Sequence, residues 1–171
     1  MISVWFLECI KGKRFDLPVY LDIEDETQIP LGKKVCTNMV NAFMGVLEAA
    51  GYFAGVYSFD SFFGSNLDES VRKRYAVWSA RVENVPPKCA PEWGMHQYSR
   101  KGKVSGIKGD VDMDNCIKDY PTVIKKAGLN GHSKANTYKV TAEIVGITSD
   151  KAGYISTTCK NIVMTVTKEK E

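Results

Sequence analysis

The chain predicts an α/β protein built on a mainly parallel sheet, and three observations predict it. Between residues 3 and 128, short apolar runs of strand length alternate with stretches of helical periodicity, the pattern of right-handed βαβ units. One of those runs, Pro-Val-Tyr-Leu-Asp-Ile-Glu-Asp at 18–25, ends in carboxylates, where α/β folds build their sites. A polar, turn-rich segment near residue 131 then separates this part from a smaller module with a different pattern. The first part holds five strands, too few for a complete eight-stranded barrel.

Taken in order, residues 3–11 read as the end of an amphipathic helix, with Val4, Phe6, Leu7 and Ile10 apolar. The acidic strand follows. Side chains alternate along a strand, so Val19, Leu21 and Ile23 share one face and Tyr20, Asp22 and Glu24 the other. Asp22 and Glu24 thus sit on the same side, about 7 Å apart along the strand. Carboxylates facing a sheet interior are costly unless partnered or used, which points to acid/base chemistry. The plain alternative is an acidic strand-to-loop junction, since Asp25 and Glu26 come next.

Residues 27–30 form a loop. Val35, Met39, Val40, Phe43, Val46, Leu47 and Ala50 recur at helical spacing across 31–50, and Gly51 stands where a C-terminal cap prefers glycine. A second strand spans 53–59. Residues 60–74 are helical or irregular, and their charged end is a solvated face. A third strand covers 75–82, prolines 86, 87 and 91 mark a loop, and a fourth strand runs over 93–99. A hairpin-like Gly/Lys-rich loop at 100–109 leads to a fifth strand at 110–114, with Asp110, Asp112 and Asp114 on one side. A helix over 117–128, bent at Pro121, closes this part. The first domain is therefore 1–130 and the linker 131–137, with His132 solvated. Residues 138–171 form a small βαβ appendage: a strand at 138–144, a helix at 149–161 capped by Ser149, and a strand at 164–167.

Composition narrows the function classes. Hydrophobic content of 44% and charged content of 25% describe a globular protein, and a net charge of +3 gives no nucleic-acid footprint. Mild basicity suits an anionic polymer such as a bacterial cell wall. Five scattered cysteines without a Cys/His cluster argue against zinc and against a disulfide framework, and they fit synthesis in a reducing compartment. The first residues lack a basic n-region and a long apolar core, so no signal peptide is expected. No apolar run is long enough to span a bilayer.

Several ordered motifs across residues 3–128 resemble glycoside hydrolase family 25, the N-acetylmuramidase lysozymes of phage endolysins and bacterial autolysins. Residues 17–25 are similar to its DxE strand, Gly55-Val56-Tyr57-Ser58 to its next strand, and Val77-Trp78-Ser79-Ala80-Arg81 to its W-x-A strand. Gln97-Tyr98-Ser99, the Gly102–Ile107 stretch and Val111-Asp112-Met113-Asp114 resemble its closing block. The resemblance implies a partial (β/α) barrel of the TIM-like type that cuts the β-1,4 bond between N-acetylmuramic acid and N-acetylglucosamine. It implies Glu24 as general acid, Asp22 as its assistant and Asp112 as a further active-site carboxylate. Tyr57, Trp78 and Gln97 match positions lining the sugar groove, and no cofactor or metal is implied. His96 stands where the family often has Trp, and Asp114 replaces the usual Asn; Asp110 and Asp114 are expected to be loop-polar or helix-starting residues. The family's D-x-S strand and the two after it are not matched, which makes a homo-oligomer or association with a full-length enzyme an expectation. The implied partner is peptidoglycan. The chain is expected to be made in a bacterial or phage-infected cytoplasm and to act on the wall. The alternative is a non-catalytic wall-binding or regulatory subunit, with the small module as a wall-binding or dimerisation element.

Overall fold

The computed structural model describes residues 2–82 and 85–134 and, beyond them, strand backbone at 138–142, 147–149, 155–157 and 164–168. These fall into two compact units, 1–134 and 135–171. In the first, helix α1 (Ile2–Ile10) precedes strand β1 (Val19–Asp22), and helix α2 (Gly32–Ala49) returns the chain to β2 (Ala54–Phe59). Two short helices, α3 (Asp60–Ser65) and α4 (Glu69–Arg74), lead to β3 (Ala76–Ala80). Strands β4 (Met95–Gly102) and β5 (Val111–Cys116) follow, and helix α5 (Tyr120–Ala127) ends the unit.

The sheet order is β1-β2-β3-β4-β5. The first four strands are parallel neighbours, as the alternation of strands and helices requires. Strand β5 pairs antiparallel with β4, so the sheet is mixed. The loop between them is too short for a parallel crossover. It turns through Gly106 and Gly109 at positive φ and is closed by Lys103, 2.5 Å from Asp110. Asp110 is thereby a loop residue.

Below the sheet, α2 lays Cys36, Val40, Met44 and Leu47 in one fully buried stripe against Val19, Ile23, Val56 and Val77. Val35 and Met39, which the periodicity also counted, are 45% and 42% exposed. They stand one residue, about 100°, round the helix from that stripe. Tyr20 and Trp78 lie on the other face, with Ala76, Met95, Tyr120 and Ile124.

Two polar side chains fix connections that apolar packing cannot. Asp60, at the start of α3, accepts from the backbone amides of Lys88, Cys89 and Ala90 at 2.9, 2.9 and 3.1 Å, holding the proline-rich loop. Asn130 is fully buried with φ +53°, a left-handed conformation that asparagine tolerates. Its Nδ2 donates to the Leu17 carbonyl at 2.8 Å, and its Oδ1 accepts from the Phe53 amide at 2.7 Å. It ties the entries of β1 and β2 to the end of α5.

Three expectations need correction. The last helix of the first unit begins at Tyr120 rather than 117, and Pro121 opens its first turn instead of bending it. Asp119 caps it, accepting from the Thr122 amide at 3.2 Å, and Gly128 ends it at φ +70°. His132 is not solvated: its side chain is 10% exposed and its Nε2 lies 2.9 Å from Asp16. The helix expected at 149–161 gives way to strands β7 (Ile147–Ser149) and β8 (Ile155–Thr157), paired antiparallel. Strands β6 (Tyr138–Ala142) and β9 (Met164–Lys168) also pair antiparallel, which no βαβ unit does. Ile155 and Thr157 are β-branched and favour the extended chain over a helix.

Candidate active site

Register builds the site. Asp22 on β1 lies beside Tyr57 on β2, and Tyr57 beside Trp78 on β3. Ala80 is level with Gln97 on β4, and Gln97 with Asp114 on β5. Partners in register point to the same face, so two successive tiers of side chains, Asp22-Tyr57-Trp78 and Ala80-Gln97-Asp114, face the same way near the C-terminal ends of the parallel strands. Glu24 follows β1 on the same alternation.

Aromatic packing sets these tiers. The Trp78 ring meets Tyr57 edge-on at 4.8 Å and Tyr20 at 5.3 Å between centroids. Gly55 is what lets Tyr20 lie flat here, because a Cβ on it would come within 2.5 Å of the Tyr20 ring. The Trp78 Nε1 donates to Asp114 at 2.7 Å, and the Tyr57 hydroxyl donates to Gln97 Oε1 at 3.1 Å. Gln97 itself is buried.

Electrostatics single out Glu24. It is half-buried, and its Oε2 is shielded from solvent with no hydrogen-bond partner among the described residues. Its carboxyl is held above the ordinary value, first by burial and then by the Asp22 charge. Arg100 and the Tyr57 hydroxyl pull it back down, and Asp112 pushes it up again. Asp22 is exposed at its edge, but the partial burial of its carboxyl still raises it. Burial, with the Glu24 and Asp22 charges added, pushes the Tyr57 hydroxyl up to about 12. Asp114 is raised by burial, which its bond from Trp78 partly offsets.

The structure thus brings Asp22, Glu24, Tyr57, Trp78 and Gln97 to one face, with exposed Asp112 within electrostatic reach of Glu24. His96 stays apart as a packing residue: it is 4% exposed, with Nε2 2.9 Å from the Arg81 carbonyl and its ring edge-on to Trp93 and Tyr98. Sequence reasoning missed two residues. Asp114, placed in the fifth strand but expected to be only a loop-polar or helix-starting residue, accepts from Trp78; its i+2 spacing from Asp112 was the available signal. Arg100, assigned to the hairpin loop, belongs to β4, and its charge lowers the proton affinity of Glu24. Among the described residues no group of three or more His, Cys, Asp or Glu could hold a metal ion, and no helix is long and apolar enough to cross a membrane.

Carboxylates and aromatics gathered at the C-terminal ends of parallel strands are the layout of an α/β enzyme acting on a polar substrate. The match of residues 3–107 to the model of glycosyl hydrolases family 25 places this chain in that family. The chain is 29% identical over 111 residues to an autolytic lysozyme of Clostridium acetobutylicum, covering 64% of this chain and 33% of that protein. It is 28% identical over 111 residues to YegX of Escherichia coli, covering 40% of that protein. The chain therefore spans two fifths or less of the length of these curated relatives. Among solved structures it resembles the CTP1L endolysin, whose activity is regulated by a secondary translation product. The TM-score is 0.55 at 27% identity, over 72% of this chain and 43% of that one. It shares its fold with a glycosyl hydrolase 25 of Streptococcus pneumoniae (TM-score 0.53, 21% identity, 73% and 56% covered).

Proposed function

We propose that this chain is a peptidoglycan hydrolase of the lysozyme type, cutting the β-1,4 bond between N-acetylmuramic acid and N-acetylglucosamine. The observation that carries the proposal is Glu24: a half-buried carboxyl with one unpartnered oxygen, held above its ordinary proton affinity by burial and by the Asp22 and Asp112 charges. Its sheet is a section of a TIM-like barrel, and the groove runs along the row of Tyr57, Trp78 and Gln97, whose aromatic faces suit sugar rings.

Glu24 enters protonated and gives its proton to the glycosidic oxygen as that bond breaks. Asp22, two residues earlier on the same face, orients the substrate's N-acetyl group, whose oxygen attacks the anomeric carbon as an internal nucleophile. Glu24, now a carboxylate, takes a proton from the water that opens this intermediate. Asp112 adds negative charge facing the developing positive charge on the sugar. The chain is made in a bacterial or phage-infected cytoplasm and acts on the wall, and residues 135–171 supply wall binding or dimerisation.

Clearing of purified Gram-positive walls, with new reducing ends assayed, tests this. The wild-type chain is expected to release reducing ends and Glu24→Gln to lose at least about a hundredfold, the usual scale of acid/base assistance. Equal release by both proteins would sink the assignment.

One observation favours a second reading, a wall-binding or regulatory subunit assembled with itself or with a full-length enzyme. Among the described residues β1 pairs with β2 alone, which leaves its other edge open. Wall pelleting without reducing ends from either protein would favour it, and so would a dimer by light scattering.

A further inference from the structure

The pairing of β4 with β5 is irregular in a particular place. From Gln97↔Asp114 to Ser99↔Met113, β4 advances two residues and β5 one; from Ser99 to Gly102, β4 advances three and β5 two. Each shift is a bulge, the device that re-aims a side chain at a sheet edge. Arg100 lies within the second. Its guanidinium is seated over the Phe59 ring, 5.1 Å from the centroid. Phe59 is two residues beyond Tyr57 on β2 and level with Ala80, which is level with Gln97. The seat therefore lies in the tier of Gln97, and Phe59 stands two residues beyond Tyr57 just as Glu24 stands two beyond Asp22, the register partner of Tyr57.

We propose that Arg100 is a positioning residue of this site: aimed by the bulge it stands in and anchored on Phe59, it supplies the cation that balances the carboxylates around Glu24. The inference rests on the hydrolase reading, because it concerns the proposed acid. The groups facing Glu24 are Asp22 from β1, Tyr57 from β2, Arg100 from β4 and Asp112 from β5. Only Arg100 among these is a cation. A general acid works best when its proton affinity sits near the working pH. Burial and the two carboxylates favour the protonated form. Arg100 opposes them, and it also faces the Tyr57 hydroxyl, which the same carboxylates push up. Phe59 gives the guanidinium a planar seat that an ammonium would use less well.

The test follows the Glu24 carboxyl by carbon NMR in the full chain, labelled at Glu, in wild type, Arg100→Gln, Arg100→Lys and Phe59→Leu. Removing a nearby positive charge disfavours the carboxylate, so the Glu24 midpoint is expected to rise in Arg100→Gln. It is expected to return toward the wild-type value in Arg100→Lys and to rise partway in Phe59→Leu, where the charge remains and its seat is lost. On walls, the basic limb of the pH profile is expected to move up with it in Arg100→Gln and to return in Arg100→Lys. An unchanged midpoint in Arg100→Gln overturns the proposal, as does a rise that Arg100→Lys fails to reverse. The NMR readout needs no turnover. If no variant releases reducing ends but the midpoint moves as stated, the hydrolase reading fails and the role of Arg100 in the site stands.

Discussion

Glu24 carries its cost visibly. A carboxyl whose proton affinity is higher in the folded than in the unfolded chain makes the native state bind more protons, so stability falls as pH rises through that window. Below the ordinary carboxylate range both states are protonated and the penalty vanishes. Thermal melts of wild type and Glu24→Gln are therefore expected to coincide near about pH 3, with the mutant the more stable by about pH 7. A mutant less stable at neutrality would show that Glu24 is held by partners, not crowded. At this scale much was legible. Tyr57, Trp78 and Gln97 stood out by motif and lie together in the structure. Asp114 and Arg100 did not, because the first depends on an indole two strands away and the second on bulges. Non-local pairing leaves no local pattern in the residues it re-aims.

Individual elements were read best where periodicity and burial coincide. Residues 53–59 were expected as a strand, and β2 spans Ala54–Phe59 because Val56 and Ser58 fill the buried face below while Tyr57 turns up. The α2 helix was equally plain, but its inner stripe is narrower than the apolar pattern, and only packing separates buried Met44 from exposed Met39. Met44→Ala is expected to cost about 2–5 kcal/mol in urea melts, against little for Met39→Ala. The β1–β2 contact offers a sharper test. Gly55→Ala places a methyl against Tyr20 and within 3.1 Å of the Ala76 carbonyl, so the ring must leave Trp78. A loss of about 1–3 kcal/mol is expected, together with weaker wall cleavage. Residues 149–161 were misread because Ser149 was taken as a helix cap, whereas β-branched Ile155 and Thr157 favour the extended chain and the pairing of β7 with β8 decides.

For the molecule as a whole, the division into units places every candidate site residue within 1–134. A chain ending at Lys134 is expected to melt within about 4 °C of the full chain and to keep its rate on soluble glycan fragments. Loss of pelleting with walls in that shortened chain would assign wall binding to residues 135–171. The open edge of β1 works at the same scale. Leu17, 42% exposed just ahead of β1, adds apolar surface near it. Sedimentation from about 1 to 100 μM is expected to show reversible association if that edge recruits a second copy. A single species throughout would leave the edge to a different chain.

The indole of Trp78, wedged between two phenol rings and bonded to a carboxylate, also makes the molecule its own optical probe. The sequence holds three tryptophans, and the other two, Trp5 on α1 and Trp93 beside His96, lie outside the row. With Trp5→Phe and Trp93→Phe in place, the emission of the remaining indole answers only to what enters the groove or alters Asp114. A sugar ring settling on that face should shift its colour and intensity in a titration. Occupancy then becomes readable in seconds, whether or not any bond is cut.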